Sequence, residues 1–389
     1  MNILHCVHSS NPEGGGVWEA VSQFARAHRI IGNDVHIVTL DKPSAPWCTQ
    51  CDDFLTALGP SNRFGFCSKF SKWLKSKAHE FDCVLVHGLW QFHGYAVMKV
   101  LTDIGIPYFV FPHGMLDPWF KTAYPLKHLK KSIYWRIIEN KVISKARGVL
   151  FTCFEESRLA QHTFKPFKCT PLIAPLGIDF EEGNSLQQIN AFNDSYPSLD
   201  RASFLIYLSR IHPKKGLDLI LESFLNISQP IPNLVVAGPI DDAGYKLHLD
   251  GLIEKIVVKH PDWQCIWTGM LTGDKKWGAL RSADAFILPS HQENFGIAVI
   301  ESLAVGTPVL ISNKVNIYTE IIDSDAGLVS DDTVNGVTKL LNDWIQSGDR
   351  TKDKCSDNAK KCFYNNFEIT SAAKNLETLL SEAIASNSN

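Results

Sequence analysis

Residues 285–308 read AFILPSHQENFGIAVIESLAVGTP. The first four are apolar and predict a buried strand, a polar loop carrying Glu293 follows, and a helix is predicted to begin near Asn294–Gly296. Glu301 then lies one to two turns into that helix, and Gly306 and Pro308 end it and start another strand. A strand, a loop and a helix in this order are typical of a parallel α/β sheet. The amides at such a helix N-terminus suit an anionic diphosphate, although both glutamates also fit the solvent side of an amphipathic helix.

The same alternation runs along the whole chain, in which short apolar runs are separated by helical stretches. Continuous apolar strands between helices indicate parallel sheets that are covered on both faces. We therefore predict an α/β protein of two doubly wound domains, with ligands at the carboxyl ends of the strands and in the cleft between the domains. The predicted strands are Asn2–Val7, Val35–Leu40, Cys83–His87, Tyr108–Phe111, Gly148–Cys153, Ser203–Leu208, Asn233–Ala237, Gln264–Thr268, Ala285–Leu288, Pro308–Ile311 and Gly327–Val329.

The length of 389 residues suits two α/β domains rather than one ordinary core. The strand series stops and restarts around the polar stretch 180–201, which we interpret as a linker. The predicted domains cover residues 1–180 and residues 181–366. Residues 367–389 have helical spacing and are predicted to form a terminal helix that packs back toward the first domain.

Charge and composition exclude several classes of protein. The net charge of −3 argues against general nucleic-acid binding, which needs an excess of Lys and Arg. No Lys or Arg precedes Arg26 and no apolar run approaches a membrane span, so we expect a cytoplasmic location. The ten cysteines are scattered, and Cys48 and Cys51 form a lone CxxC without further ligands. The cysteines therefore indicate buried thiols rather than a zinc site or a disulfide framework.

A second segment whose residues suit ligand binding or catalysis is Leu205–Leu217, which reads LIYLSRIHPKKGL. It predicts a buried strand, a basic loop and a helix beginning near Gly216 or Leu217. A guanidinium at Arg210 and an ammonium at Lys215, placed at the top of a sheet, can hold two phosphates and offset charge on a departing nucleotide.

These segments together resemble the retaining family 4 glycosyltransferases, which have the GT-B fold of two Rossmann-like domains. The resemblance implies that the domain over residues 1–180 binds the acceptor and that the domain over residues 181–366 binds the nucleotide sugar. The resemblance covers the C-terminal half in the correct order, and the family often has Gly where this chain has Ser209. The segments that carry it are Pro175–Asp179, Ser209–Gly216, Gly238-Pro239, Trp267–Gly269 and Glu293–Glu301 followed by Gly306–Pro308.

The resemblance implies roles for individual residues of the second half. Arg210 and Lys215 bind the donor diphosphate, Glu301 holds the nucleotide ribose, and Glu293 holds the donor sugar. The backbone amides of Asn294, Phe295 and Gly296 contact phosphate or sugar.

The first half adds two matches. The glycines 14–16 follow the first strand, open a predicted helix at Val17 and let the backbone approach a ligand closely. In the family this loop borders the donor sugar and the acceptor, so Gly15 and Gly16 become donor-binding candidates. Residues 111–119, FPHGMLDPW, resemble the His-Gly segment of members that build surface polysaccharides. That segment implies that His113 contacts the donor sugar near the reacting carbon and that Asp117 lies on the acceptor side, although a histidine beside a Pro-Gly turn is often structural.

Other histidines receive more modest interpretations. His87-Gly-Leu-Trp90 lies at another predicted strand end, so Trp90 is assigned to the acceptor side. His5 and His8 flank the first strand and are interpreted as packing or loop residues. The candidate catalytic residues are therefore His113, Arg210, Lys215 and Glu293.

By this resemblance the chain is a retaining, hexosyltransferase-type enzyme that takes a nucleoside-diphosphate sugar as donor and a glycan or lipid-linked saccharide as acceptor. The setting that it implies is surface polysaccharide assembly (exopolysaccharide, O-antigen or capsule). No cofactor and no metal are expected, because Arg210 and Lys215 supply positive charge at the leaving phosphate. The alternatives are a GT-B-like sugar-nucleotide epimerase and a non-catalytic sugar-nucleotide-binding assembly protein.

Two further segments carry charge. Residues 121–147 hold seven basic residues after Lys121 against one acid, Glu139, with Leu126, Leu129, Ile133 and Ile137 at helical spacing. This pattern fits a helix at the inner face of an anionic membrane, and equally a solvated helix whose apolar side packs on its domain. Asp323-Ser-Asp325 looks like a D-x-D metal motif but lies between a predicted helix and a strand, so we interpret it as a turn.

Overall fold

The computed structural model describes residues 1–12, 16–49, 53–62, 64–199 and 202–386. The chain divides into two units, of which the first comprises Met1–Asp179 with Glu368–Asn389 and the second comprises Phe180–Phe367. Each unit is an α/β sheet with helices on its faces, as the alternation of apolar strands and helices predicts.

In the described residues of the first unit, seven parallel strands form one sheet in the order β3-β2-β1-β4-β5-β6-β7. The strands are β1 Asn2–Val7, β2 Asp34–Thr39, β3 Leu55–Ala57, β4 Cys83–His87, β5 Tyr108–Phe111, β6 Gly148–Phe151 and β7 Pro171–Ile173. The helices are α1 Gly16–Ile30, α2 Pro46–Thr49, α3 Ser68–Lys77, α4 Phe92–Ile104, α5 Trp119–Ala123, α6 Pro125–Tyr134, α7 Asn140–Lys145 and α8 Phe154–Ala160. Between α6 and α7 the chain forms a π-helix, Trp135–Glu139.

In the described part of the second unit, six parallel strands form a sheet in the order β10-β9-β8-β11-β12-β13. The strands are β8 Phe204–Leu208, β9 Asn233–Ala237, β10 Cys265–Gly269, β11 Ala285–Leu288, β12 Val309–Ser312 and β13 Gly327–Ser330. The helices are α9 Ser185–Asn193, α10 Leu217–Asn226, α11 Ala243–Lys259, α12 Gly273–Ser282, α13 Ile297–Val305, α14 Tyr318–Asp323, α15 Val334–Gln346 and α16 Asp349–Asn366.

The last helix, α17 Ile369–Ala385, belongs to the first unit and packs on α1. Ala372, Ala373, Leu376 and Leu380 form its buried side. The ring of His28 on α1 donates from Nε2 to the carbonyl oxygen of Ala373, at 3.1 Å.

The predicted strands β1, β4, β5, β9 and β11 have the observed bounds, and the other predicted strands differ by one or two residues at an end. Two strands, β3 and β7, were not predicted from the sequence. Each has three residues and lies at an edge of the sheet, where a short strand lacks the long apolar run that marks a central one.

The prediction that residues 180–201 form a linker is wrong, because this stretch contains α9. Asn184 caps α9 by accepting from the backbone of Gln187, and Phe192 is fully buried. The helix packs closely on α12, since a Cβ at Gly278 would lie only 1.9 Å from the carbonyl oxygen of Gln188. The polar composition concealed a helix that contacts its neighbour through few apolar side chains and close backbone approach.

Asp323 ends α14 and Asp325 lies in the turn before β13, with a left-handed φ of 51°. The interpretation of this D-x-D segment as a turn is confirmed.

Candidate active site

The candidate donor residues of the second unit lie in two loops that follow neighbouring strands. The loop after β8 carries Arg210 and Lys215, and the loop after β11 carries Glu293. Parallel strands place both loops at the same edge of the sheet, where ligands bind in doubly wound folds.

Backbone contacts hold these two loops together. The amide of His291 donates to the carbonyl oxygen of Lys214 at 2.8 Å, and the Ser290 hydroxyl donates to the same oxygen at 3.0 Å. Gly216 has a φ of 72°, and a Cβ there would lie 2.3 Å from the carbonyl oxygen of Pro289. A glycine is therefore required where the two loops meet.

Lys215 and Glu293 form an ion pair through Nζ and Oε2. The side chains retain 11% and 21% of their exposure, so the pair is largely removed from water. An anionic ligand at this point competes with Glu293 for the ammonium group, while the second carboxylate oxygen of Glu293 can accept from a hydroxyl. The structure thus brings together two of the predicted catalytic residues, which are 78 positions apart in the chain.

Arg210 lies at the carboxyl end of β8 with 61% of its side chain exposed. Its Nη1 donates to Asp241 Oδ2 at 2.9 Å, which orients the guanidinium and uses one of its five N–H donors. The backbone beneath it is fixed by Gly238, because a Cβ there would lie 2.0 Å from the carbonyl oxygen of Ser209. Arg210 therefore combines a fixed base with donors directed at solvent, as phosphate binding requires.

Helix α13 begins at Ile297, directly after Gly296, whose φ is 73°. Gly296 has no side chain to cap the first-turn amides, and the macrodipole adds positive potential there. Phe295 is 6% exposed and packs edge-on against Phe367, so its side chain anchors the loop from below. The side-chain oxygen of Asn294 accepts from Asn316 at 3.2 Å.

Glu301 lies in the second turn of α13 and pairs with a residue that the sequence analysis did not identify. Lys276 on α12 places Nζ 2.7 Å from Glu301 Oε1, and the two side chains keep 21% and 15% of their exposure. Lys276 also lies over the ring of Trp277, with Nζ 4.3 Å from its centroid. A lysine one turn into a helix after a predicted strand gave no signal beyond its position at the same edge of the sheet.

In the first unit, Gly15 lies outside the described residues and Gly16 is the first residue of α1. The helix thus begins at Gly16, one residue before its predicted start at Val17.

His113 follows β5 and has a φ of 50°, a left-handed conformation that is uncommon for a residue with a side chain. The next amide, of Gly114, donates to Glu156 Oε1 at 2.6 Å. The other oxygen of Glu156 accepts from the amide and the hydroxyl of Thr152, at 2.7 Å and 2.8 Å. Glu156 is 3% exposed and holds the His113–Gly114 turn to the end of β6. Its position in α8 resembles an ordinary helical glutamate, so sequence reasoning missed it.

The imidazole of His113 is half-buried and bonded to a second histidine. Its Nε2 lies 3.0 Å from Nδ1 of His87, and Nε2 of His87 lies 3.0 Å from Nδ1 of His5. Burial lowers the pKa of His113 to about 4 and that of His5 to about 3, and it lowers the pKa of His87 well below its usual value. All three rings are therefore neutral at pH 7. The interpretation of His5 as a packing residue is correct as to burial but omitted this hydrogen bond.

The two acceptor-side candidates are largely occupied with contacts inside the first unit. Asp117 is 6% exposed and its Oδ1 accepts from the amide of Trp119 at 2.8 Å. Trp90 has a φ of 74° and packs against Trp135 and Phe164. Their roles toward an acceptor stay predictions.

The basic segment has its apolar side exposed. Leu126, Leu129, Ile133 and Ile137 retain 78%, 62%, 58% and 59% of their accessible surface. The alternative in which this side packs on the domain is therefore wrong. Among the described residues, no helix has both the length and the apolar character that crossing a bilayer demands.

Comparison with known proteins identifies both units. The family model of glycosyl transferases group 1 matches residues 189–362, and that of the glycosyl transferase 4-like domain matches residues 15–166. An uncharacterized glycosyltransferase of Methanocaldococcus jannaschii is 27% identical over 203 residues, which are 50% of this chain and 49% of the relative. The lipopolysaccharide 1,2-N-acetylglucosaminetransferase of Salmonella typhimurium is 26% identical over 208 residues, 50% of this chain and 51% of the relative.

The chain thus spans about half the length of these curated relatives. Among solved structures, Anabaena HepE in complex with UDP and glucose superposes with a TM-score of 0.70 over 98% of this chain and 100% of that one, at 14% identity. That likeness shows the fold. The two family models together match most of the chain. The chain belongs to the family 4 glycosyltransferases of the GT-B fold.

Proposed function

We propose that the protein transfers a sugar from a nucleoside-diphosphate sugar to a glycan or lipid-linked acceptor with retention of configuration. The observation that carries this proposal is the arrangement in the second unit, where Arg210 and two lysine–glutamate pairs surround one edge of the sheet. The cations serve a diphosphate, and the carboxylates Glu293 and Glu301 serve sugar and ribose hydroxyls.

The chemistry requires that the bond between the anomeric carbon and the phosphate oxygen break while negative charge grows on the diphosphate. Arg210, Lys215 and the first amides of α13 stabilise that charge without a metal ion. Lys215 then exchanges its contact with Glu293 for one with a phosphate oxygen. Attack of the acceptor hydroxyl from the face that the phosphate leaves accounts for retention, and the leaving phosphate takes the proton.

A uridine nucleotide is the donor that we favour. HepE was solved with UDP and glucose, which supports this choice. The matched Salmonella protein is named a lipopolysaccharide 1,2-N-acetylglucosaminetransferase, which supports an acceptor in surface polysaccharide assembly.

The direct test is a transfer assay with UDP-, GDP- and ADP-sugars and a mixed pool of bacterial lipid-linked saccharides, in EDTA. We expect one donor to be consumed only when acceptor is present, and NMR of the product to show the donor's anomeric configuration. Conversion of the sugar nucleotide without acceptor would instead indicate an epimerase. Tight binding without any turnover would indicate an assembly protein.

The exposed apolar stripe along α6 and the π-helix that follows it favours a membrane-bound acceptor. Leu126, Leu129, Ile133 and Ile137 lie along one side, and exposed basic side chains flank them at Lys121, Lys127, Lys130, Arg136, Lys141 and Lys145. Apolar side chains beside lysines suit the interface of an anionic bilayer at the inner face of the membrane.

Sedimentation with vesicles of phosphatidylglycerol and phosphatidylcholine tests this contact. We expect binding that weakens in Leu126→Ser with Leu129→Ser, and that falls with salt. Leu247→Ser is the matched control, because Leu247 is 74% exposed on a helix of the second unit. Equal sedimentation of all variants, or none at all, rejects the membrane contact.

A further inference from the structure

Three histidines on neighbouring strands of the first unit form a hydrogen-bonded row that ends at His113. His5 lies in β1, His87 ends β4, and His113 follows β5. The rings of His5 and His87 are stacked with centroids 5.2 Å apart, and those of His87 and His113 with centroids 5.3 Å apart. His5 and His87 have almost no contact with solvent.

Neutral imidazoles carry one N–H and one lone pair, so the row has only two consistent arrangements. In the first, His5 Nδ1–H donates to His87 Nε2, and His87 Nδ1–H donates to His113 Nε2, which leaves the proton of His113 on Nδ1. In the second, every bond is reversed, and the row ends with an N–H at Nε2 of His5. Burial, which depresses the pKa of each ring, excludes a cationic member at neutral pH.

The two arrangements differ in what they bury. Nε2 of His5 is enclosed and has no hydrogen-bond partner in the described part of the chain. The first arrangement leaves a lone pair at that atom, and the second leaves an N–H donor. Orphaned buried N–H groups are the rarer case in proteins.

Two nearby histidines, His28 and His93, show whether a lone pair or an N–H is left without a partner in this part of the protein. His28 and His93 each place Nε2 against a backbone carbonyl, of Ala373 at 3.1 Å and of His87 at 2.9 Å. A carbonyl only accepts, so both Nε2 atoms carry the proton. Their Nδ1 atoms are lone pairs, and both are buried without a partner among the described residues. In both rings, therefore, the nitrogen without a partner carries a lone pair, and the N–H donor is hydrogen-bonded.

We infer that His5 and His87 are positioning residues that hold His113 as the Nδ1–H tautomer, with this N–H available to donate to an oxygen of the transferred sugar. The tautomer follows from the geometry of the row, and its use on a sugar rests on the proposed function. The row ends in the enclosed Nε2 of His5, so it orients His113 and does not conduct a proton to solvent.

The first test is spectroscopic and independent of activity. Two-bond ¹⁵N–¹H spectra of protein with ¹⁵N-labelled histidine rings distinguish the two tautomers, and His113→Gln assigns the signals. At pH 7.5 we expect His113 to be protonated at Nδ1. Protonation at Nε2 would overturn the inference, whether or not the protein transfers a sugar.

The second test separates orientation from packing. His5→Leu removes the donor that sets the direction of the row, and we expect His113 to populate both tautomers and kcat to fall about tenfold at nearly constant KM for the donor sugar nucleotide. His5→Asn keeps an N–H near the position of Nδ1 and should restore most of kcat. His36→Leu is the control, since His36 is a half-buried histidine of the same sheet that bonds Thr56 and not the row.

Unchanged kcat in a folded His5→Leu protein with mixed tautomers would show that the tautomer does not serve transfer. Absence of transfer by the wild type with every donor would reject the proposed function, while the spectra would still decide the tautomer.

Discussion

Lys276 Nζ lies 2.7 Å from Glu301 Oε1, and helix α12 thereby fixes the carboxylate that α13 presents. The equivalent contact between Lys215 and Glu293 fixes the other glutamate of the motif. The carboxylate of Glu301 is thus oriented before a ligand binds, and preorganisation of this kind lowers the entropy lost on binding.

Lys276→Met should weaken nucleotide-sugar binding because Glu301 loses the partner that orients it. We expect KM for the donor to rise about tenfold with little change in kcat, the signature of lost uniform binding. The free energy of unfolding should fall by about 1–2 kcal/mol, less than for a fully buried pair because both side chains keep some exposure.

Lys275→Met is the matched control, since Lys275 is the exposed neighbour on the same helix. Steady-state kinetics and urea unfolding measure both variants. Similar KM values for the two variants would show that Lys276 does not contribute to donor binding.

Gly238→Ala should disrupt the loop that carries Arg210. The new Cβ would lie 2.0 Å from the carbonyl oxygen of Ser209, at a φ of 143°. We expect a loss of about 3 kcal/mol in unfolding free energy, from strain and displaced backbone, together with weaker nucleotide binding.

Gly251→Ala provides the contrast, because Gly251 lies inside α11 with open space at its Cβ position. Replacing a helical glycine there should stabilise the protein by about 0.5–1 kcal/mol. Thermal unfolding distinguishes the two, and equal effects would contradict the close approach at Gly238.

Arg210→Ala should lower kcat by about a hundredfold or more, because the guanidinium stabilises charge that develops on the leaving diphosphate. Its side chain is mostly exposed, so folding should be little affected. The measurement is kcat under saturating donor, with circular dichroism to verify the fold. Turnover near that of the wild type would show that Arg210 does not stabilise the leaving diphosphate.

The buried histidines make stability depend on pH. Burial lowers the pKa of His28 to about 4, so between its ordinary pKa near 6.5 and pH 4 the unfolded chain binds a proton that the native protein does not. Stability from His28 is therefore complete above pH 6.5 and is lost as the pH falls. Glu139 acts in the opposite direction, because burial raises the pKa of its carboxyl to about 7.

His28→Gln isolates this effect, since glutamine keeps an N–H for the carbonyl of Ala373 but does not titrate. Between pH 7.5 and 5.5 we expect the variant to lose about 1 kcal/mol less unfolding free energy than the wild type. Urea unfolding at several pH values measures the difference. Parallel pH profiles would mean that His28 titrates normally in the native protein.

The sequence was most informative for central strands and the loops that follow them. Continuous apolar runs such as those of β4 and β11 have one stable placement, in the middle of a parallel sheet, and adjacent strands bring their loops to one edge. The proximity of Lys215 and Glu293 followed from that topology.

Other features depend on packing that a linear pattern does not record. Lys276 pairs with Glu301 because α12 lies beside α13, and Glu156 reaches Gly114 from a different strand end. The histidine row forms across three strands, and each member by itself looks like an ordinary buried or loop histidine. Polar α9 resembled a linker because its contact with α12 uses backbone approach at Gly278 rather than an apolar stripe.

We propose that the second unit binds a nucleoside diphosphate through Arg210, Lys215 and Glu301 without a metal ion. Isothermal titration of UDP, GDP, ADP and NAD into the protein in EDTA tests it most directly, with Glu301→Ala and the exposed control Glu254→Ala beside the wild type. We predict that one nucleoside diphosphate binds, that its Kd rises about tenfold or more in Glu301→Ala, and that Glu254→Ala is unchanged. Absence of binding by all three diphosphates, or binding of NAD alone, would show that the second unit is not a nucleoside-diphosphate site.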